Sequence, residues 1–522
     1  MENKNITALK NFGANLLKKK TPDDFIETAK KVNLKKTLNA FDLIMLGIGA
    51  VIGSGIFTIV GVAMVGEHTG YGAGPAVVIS MLIAMFASLF SILCYSEFTS
   101  MVPVAGTTYT YTYVTMGEFM AWIIGWILML EYAIGNVTMA SSWTGYFMEL
   151  LRGFSHVFPS WLQWLCNPPV WLVNDYRTAL SVYRDMGLDP AIEIPRLFGA
   201  IPFCINLPAI LLLLVITILL VQGIKESTKA ATVLVFIKLA VIFLFVFAGM
   251  FYVSPDNWVP FAPNGMKGIL SGAFLIFFAY VGVDAVSSAA EETKDPQKNL
   301  PIGLLGTLIA CTVVYIATAL VLSGMVATEN INTLAPIAAA MNSIGLNKVG
   351  GIIAVGALAG ITSVILVFQL GTARILYAMS RDGFFPKSFQ KIHKKHGTPH
   401  VVTWASGILV ILGAVFMDLN ISAELCNFGT FTNFMVICIA VLILRKTDPK
   451  RPRPFKVPFV PLFPILGIIL CGGIMVHGFL TLGISSVLFP LWILIGIGIY
   501  LAYGYKKQRS MEKICAKGGG EQ

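Results

Sequence analysis

Charged residues are scarce. Asp, Glu, Lys and Arg make up 12% of the 522 residues, against 56% hydrophobic ones, and the mean hydropathy is +0.77. A soluble protein cannot bury so much apolar surface, so the composition excludes that class and implies a polytopic membrane protein. The six histidines form no cluster at mid-membrane depth. The eight cysteines are scattered, most of them inside apolar runs, and none has metal-ligand spacing, so no metal is expected. Cys166 and Cys204 share one long loop and could pair if that loop is external. No G-x-x-x-x-G-K-[ST] stretch is present to cradle a phosphate, which argues against ATP drive. No Ser/His/Asp constellation stands out, so no enzyme and no cofactor are expected. No cleavable signal peptide precedes the first apolar run. The net charge of +10 raises nucleic acid as a partner, but basic loops explain it better, and no nucleic acid is expected.

What the chain has is a glycine-rich break inside a spanning run, Gly47-Ile48-Gly49-Ala50-Val51-Ile52-Gly53-Ser54-Gly55-Ile56-Phe57. Each glycine costs a helix about 1 kcal/mol relative to Ala. Unwound backbone at membrane depth is tolerated only where protein buries it or a cavity receives it. The run should therefore split near Gly53-Ser54-Gly55 into two half-helices. The N–H groups opening the second half would favour a carboxylate, as at a transporter's mid-membrane site. The competing reading is close helix packing through the Gly49 to Gly53 spacing.

The chain resolves into twelve expected spans. Residues 1–37 carry nine lysines, and Asp23 to Leu38 could lie on the inner surface as an amphipathic helix. Spans 1 to 5 fall near 40–64, 75–101, 118–149, 206–223 and 228–252. Span 6, near 268–290, is interrupted at Tyr280-Val281-Gly282-Val283-Asp284. Spans 7 to 12 fall near 302–326, 350–380, 401–417, 422–443, 463–483 and 487–505. Residues 150–204 form a long polar and aromatic loop whose Trp161, Trp164 and Trp171 suit a membrane interface. The segments placed inside hold 29 of the 37 Lys and Arg, which predicts a cytoplasmic-membrane protein with both termini cytoplasmic. Breaks in spans 1 and 6, five apart, are the mark of an inverted repeat. The expected organisation is a basic segment 1–37, a transport core 38–443 of spans 1–10, spans 11–12 over 444–505, and a tail 506–522.

Three ionisable residues sit deep in apolar spans: Glu131, Lys238 and Asp284. Each costs roughly 2.5–3.5 kcal/mol at a helix centre, so a functional role is the default. The bland alternative is a static pair, for instance Glu131 with Lys238. A buried lysine loses affinity for its proton through desolvation, so Lys238 could exchange one near neutral pH.

Several stretches resemble the amino acid–polyamine–organocation (APC) superfamily, and its cationic amino acid transporter (CAT) subfamily in bacterial form. They are Phe41-Asp42-Leu43 with the glycine stretch, Phe277 to Val286, and Glu291-Glu292-Thr293-Lys294-Asp295-Pro296 through Gly303. Gly223 to Ser227 and Arg374 to Gly383 add to them. The resemblance covers roughly 38–505, and the 150–204 loop departs from it by its length. It implies an all-α fold of the sodium-coupled leucine transporter (LeuT) type, a 5+5 inverted repeat plus two helices, and a free L-amino acid as substrate. The substrate carboxylate would meet the backbone N–H groups and hydroxyl around Ser54 and Gly55, with Ile52 and Gly53 also at the binding site, and its ammonium would meet the carbonyls of Val51, Phe278, Ala279 and Val281. Phe278 would gate the site, with simple packing as the alternative. Phe368 would line the site and, with Asp284, bound the pocket. Lys238 would stand where sodium-coupled relatives hold a cation and couple transport to protons, with Glu131 on the proton route or beside a basic substrate.

The resulting expectation is import of small or medium neutral amino acids by proton symport. Arginine or lysine transport, sodium coupling through Thr362 and Ser363, and exchange are alternatives of the same fold. An amino acid sensor that does not transport is an alternative of another class. A channel is disfavoured because the ionisable residues are too sparse for a polar pore. Membrane lipid is an expected partner, and a small single-span membrane protein is left open.

Overall fold

The computed structural model describes residues 36–66, 70–103, 108–155, 159–223 and 228–504, together with Lys19, Thr21 and Asp23. The expected surface helix over 23–38 therefore lies largely outside the described residues, as do 224–227 and the tail from 505.

The first apolar helix, α1 (Ala40–Val51), starts at a capping box. The Asn39 side chain accepts the Phe41 and Asp42 N–H groups, and the Asp42 carboxylate accepts the Asn39 N–H at 3.0 Å. It ends where Ile52 turns extended (φ −73°, ψ 96°). The chain resumes at Gly55–Ile59 as a π-helical turn leading into α2 (Val60–Val65), and the two halves are bent by 49°. Next come α3 (Val77–Met101), α4 (Thr108–Thr115) and α5 (Glu118–Gly153), a long helix whose apolar stretch is entirely buried.

The long loop is a small folded unit. It holds α6 (Val170–Val173), α7 (Tyr176–Asp185), α8 (Pro190–Glu193) and the antiparallel pair β1 (Arg196–Leu197) and β2 (Ile201–Pro202). Asp175 and Asp189 cap α7 and α8, and Ala179, Tyr183, Ile194 and Cys204 form its core. Cys166 and Cys204 do not pair; both are free and buried. Burial pushes the Cys204 thiol up to about 11, away from the reactive thiolate.

Beyond it lie α9 (Leu207–Gln222), α10 (Thr228–Gly249) and α11 (Gly265–Ile276). α11 runs into a 3₁₀ turn at Phe277–Tyr280, then Val281 goes extended and Gly282 takes φ +96°. That left-handed φ is the conformation glycine supplies without steric penalty. A second 3₁₀ segment, Val283–Glu292, completes the interrupted element. α12 (Pro296–Met325), α13 (Pro336–Ser343), α14 (Asn347–Arg381), α15 (His400–Phe416), α16 (Leu419–Thr447), α17 (Leu462–Thr481) and α18 (Ser485–Ile499) follow.

Among the described residues, nine helices are long and apolar enough to cross a membrane, or ten with the bent α1/α2 pair as one. α9 and α15 are apolar but shorter, at 16 and 17 residues. The chain is thus an all-α polytopic membrane protein. Two groups of helices emerge from the packing. α1 and α3 pack with α12, and α11 packs with α2 and α3; α5 packs with α14, and α9 with α15. α10 and α16 each touch both groups, since α10 meets α14 and α1 while α16 meets α5 and α3.

At the terminal side, Thr37 and Leu38 donate their N–H groups to the Glu292 carbonyl (2.9 and 3.0 Å), and the Lys294 N–H donates to Leu38 O at 2.8 Å. This backbone pairing ties the start of α1 to the end of the interrupted element. Nearby, the buried Glu97 of α3 receives Arg445 at 2.6 Å, Arg453 at 3.2 Å and the Val457 N–H at 2.8 Å.

Candidate functional site

The two interrupted elements meet. A Cβ added at Gly55 would sit 2.4 Å from the Ala279 Cα, and one at Gly282 would sit 3.2 Å from the Ala50 carbonyl oxygen. Glycine at both places lets backbone touch backbone. Gly49 and Gly53 are also tight, at 3.0 Å from Val235 and 3.1 Å from Val364. The packing alternative therefore holds alongside the break: the same glycines unwind the helix and admit neighbours.

Within this junction Val51, Ile52, Gly53, Ser54, Gly55, Phe278, Ala279, Val281 and Asp284 are all buried. The Ser54 hydroxyl is fully buried and has no hydrogen-bond partner among the described residues. Buried hydroxyls are nearly always bonded, so an unpartnered one at a helix break is a candidate contact for a bound molecule or a water. The freed carbonyls are only partly available. Tyr315 of α12 donates to Ala279 O at 3.0 Å and reaches Val51 O at 3.3 Å, while Phe278 O accepts the Val281 N–H at 3.2 Å. One hydroxyl proton cannot serve two carbonyls fully, so the Val51 and Ala279 oxygens retain acceptor capacity. Tyr315 was missed from the sequence because an uncharged tyrosine in an apolar run gives no signal.

Lys238 of α10 is fully buried. Its ammonium donates to Gly49 O (2.8 Å), Ile52 O (3.0 Å) and Ser363 Oγ (3.1 Å). The first is a last-turn carbonyl of α1 and the second belongs to Ile52, the extended residue at which the helix breaks. A cation there satisfies them and complements the negative end of the helix. Glu131 turns elsewhere: its carboxylate accepts the Asn433 side-chain amide of α16, and its carbonyl accepts the Cys426 thiol. The static Glu131–Lys238 pair is not formed. Thr362 is not at the site either, because its hydroxyl accepts the Trp143 indole N–H at 3.1 Å.

Phe368 of α14 reaches the junction. Its ring lies 3.3 Å from where a Gly282 Cβ would stand and 3.2 Å from a Gly135 Cβ, and it packs on Tyr132 with centroids 5.1 Å apart. The Tyr132 hydroxyl in turn donates to the Asp284 carboxylate at 3.3 Å. Phe278 is buried, while its neighbour Phe277 stacks on Phe431 with centroids 4.0 Å apart. On the loop side the junction is covered. Thr58 donates to Leu334 O at 3.4 Å, and the Tyr146 hydroxyl donates to Phe57 O.

This geometry has a family. The sequence matches the amino acid permeases over residues 38–502. The chain belongs to the amino acid permease family, within the APC superfamily. Permeases of this kind are transporters, not enzymes. This permease is 41% identical over 493 residues to the methylthioribose transporter of Bacillus subtilis (strain 168), covering 94% of this chain and 98% of that one. It is 40% identical over 499 residues to the branched-chain amino acid permease BcaP of the same organism, covering 95% and 99%. Likeness to a plant protein, the chloroplastic cationic amino acid transporter 9 of Arabidopsis thaliana, is 33% over 450 residues, covering 85% and 73%.

Proposed function

We propose that this permease imports a small or medium neutral L-amino acid across the cytoplasmic membrane by proton symport. The observation that carries the reading is the meeting of the two breaks around the unpartnered Ser54 hydroxyl. The substrate carboxylate binds the Ser54 hydroxyl and the backbone N–H groups opening the second half-helix. Its ammonium binds the Val51 and Ala279 carbonyls in competition with Tyr315. Phe368, lodged between Gly282 and Gly135, puts a bulky ring against the junction, which supports a small or medium neutral substrate over a guanidinium. The branched-chain substrate in the name of one relative also supports a neutral substrate.

Lys238 is the proton carrier in this reading. Protonated, it fastens the broken end of α1 to α14 through Ser363. Deprotonated, it loses its charge and one donor, and α1 is released from α14. Glu131 and Asp284 line the proton's way in. The packing supports a LeuT-type arrangement of twelve spans, with α9 and α15 crossing as short helices. Contacts pair as an inverted repeat requires: α1 with α12 mirrors α11 with α3, and α10 with α14 mirrors α16 with α5. The loop motif from Glu291 to Gly303 and the plant relative favour the CAT branch of the superfamily. The Lys and Arg bias of the segments between spans supports both termini lying in the cytoplasm and the 159–206 unit outside.

Uptake of labelled alanine, threonine, leucine and arginine into proteoliposomes tests this, with and without an inward proton gradient in sodium-free buffer. Accumulation of a neutral substrate that collapses with a protonophore is expected. Arginine accumulation would overturn the neutral pocket, and exchange without accumulation would overturn symport. A second reading has one specific support. The methylthioribose relative and the buried Tyr132–Asp284 pair, able to accept from vicinal hydroxyls, fit a thiosugar. Competition by methylthioribose against labelled leucine decides between them.

A further inference from the structure

Lys238 of α10 holds the end of α1 at the first break. The end of α11, at the second break, is held as well, by a residue with no part in the transport reading. Asn427 of α16 is fully buried. Its amide donates to Phe274 O at 2.7 Å and reaches Leu275 O at 3.4 Å. Both carbonyls belong to the last turn of α11, directly before the 3₁₀ turn Phe277–Tyr280. Two carbonyl partners identify the contacting atom as the amide nitrogen, because a carboxamide oxygen cannot donate.

The Asn427 oxygen is buried and has no hydrogen-bond partner among the described residues. A half-satisfied buried amide is costly. The contact around it is aromatic: Phe274 packs on Phe428 and Phe431 with centroids 5.0 and 5.4 Å apart. Packing alone would therefore favour an apolar side chain at 427. What the amide donors hold gives the polar one its reason.

The two fasteners differ in chemistry. An ammonium can give up its proton, whereas a carboxamide keeps its donors at any physiological pH. The titratable groups on the surrounding helices have other partners. Glu131 of α5 accepts the Asn433 amide, Glu424 of α16 accepts the Ser485 hydroxyl at 2.5 Å, and His477 of α17 meets Ser271 of α11 at 3.1 Å. In the inverted repeat proposed above, α16 is the counterpart of α10 and α11 of α1.

We propose that Asn427 is a positioning residue for the substrate ammonium. By tying down the last turn of α11 it fixes the carbonyls of the turn that follows, Ala279 O among them, whatever the protonation of the junction. Lys238 lets the α1 half of the pocket move, and Asn427 keeps the α11 half in place. The proposal rests on the reading of Ala279 O as an ammonium acceptor.

Counterflow of labelled for unlabelled L-leucine in proteoliposomes, at equal pH on both sides, reads KM without net proton drive. Asn427→Leu should raise KM about tenfold with kcat nearly unchanged. Asn427→Asp has a donor only while protonated, the form that burial favours. Relative to wild type at each pH, its KM should match the Leu variant at about pH 8 and approach wild type at about pH 5.5. A merely structural defect would not recover with acid. Maleimide labelling of Phe278→Cys, followed by peptide mass spectrometry, reads the turn without any substrate, and Asn427→Leu should speed it. Wild-type KM in both variants with unchanged labelling overturns the proposal alone, and so does a loss in Asn427→Asp that is equal at both pH values. Faster labelling in a protein whose wild type exchanges no leucine overturns the neutral-substrate reading and leaves the fastening of α11 standing. Unchanged labelling without leucine exchange overturns both.

Discussion

Replacing Lys238 with Met keeps the length and apolar bulk of the side chain and removes the charge. The ammonium donates hydrogen bonds at 2.8, 3.0 and 3.1 Å, the first two to the Gly49 and Ile52 carbonyls at the break. Leaving those two oxygens unmet, one buried and one partly buried, costs roughly 1–3 kcal/mol each, or up to about 6 kcal/mol together. That cost falls on the break and not on the helical scaffold, so the protein should remain folded with a loosened junction. The larger consequence is energetic coupling. One proton moving down 100 mV supplies about 2.3 kcal/mol, enough for roughly 50-fold accumulation of a co-transported neutral solute. Lys238→Met should lose that accumulation while retaining counterflow exchange of labelled for unlabelled substrate. The assay is uptake into sodium-free proteoliposomes under an imposed proton gradient and potential. A Lys238→Met protein that still concentrates substrate, and releases it on adding a protonophore, would refute the assignment of proton coupling to this residue. A protein whose uptake becomes driven by sodium alone would refute proton coupling as the native mode.

Phe368→Ser should widen the accepted range, so that arginine and phenylalanine compete at least tenfold better for leucine uptake; an unchanged competition profile means the ring does not line the pocket. Gly282→Ala forces a side chain into φ +96° with the new Cβ 3.2 Å from Ala50 O, costing about 1–2 kcal/mol for the conformation alone. Uptake should fall below a tenth of wild type at equal membrane abundance, and wild-type uptake would contradict the contact between the two breaks. Glu97→Gln leaves Arg445 and Arg453 facing a neutral group in a buried setting, where losing one partner costs about 3–5 kcal/mol. The detergent-purified variant should melt markedly earlier than wild type, and an unchanged melting temperature would mean that the cluster is solvated.

The Ser54 and Gly282 breaks were legible because their cause is local. Four glycines between 47 and 55, and Gly282 beside Val281, weaken the helix whatever surrounds it. The deep placement of Glu131, Lys238 and Asp284 was legible for the same reason: an ionisable residue inside a long apolar run is costly before any neighbour is known. The 150–204 stretch read only as a loop, because α7, α8 and the two-residue strands are short and Ala179, Tyr183 and Cys204 do not show an apolar period long enough to read. Thr362 and Ser363, adjacent in sequence, could not be told apart; α14 turns one toward Trp143 and the other toward Lys238.

The sequence by itself determined a membrane-spanning helical protein with two interrupted elements, since composition and glycine placement act residue by residue. Which groups answer one another was decided by the tertiary structure. Lys238 reaches Gly49 across 189 positions of chain, Tyr315 reaches Ala279 across 36, and Glu131 turns to Asn433 across 302. In an apolar medium each buried polar group must find a partner. The sequence states that demand, and only the packing of distant helices fixes which partner meets it.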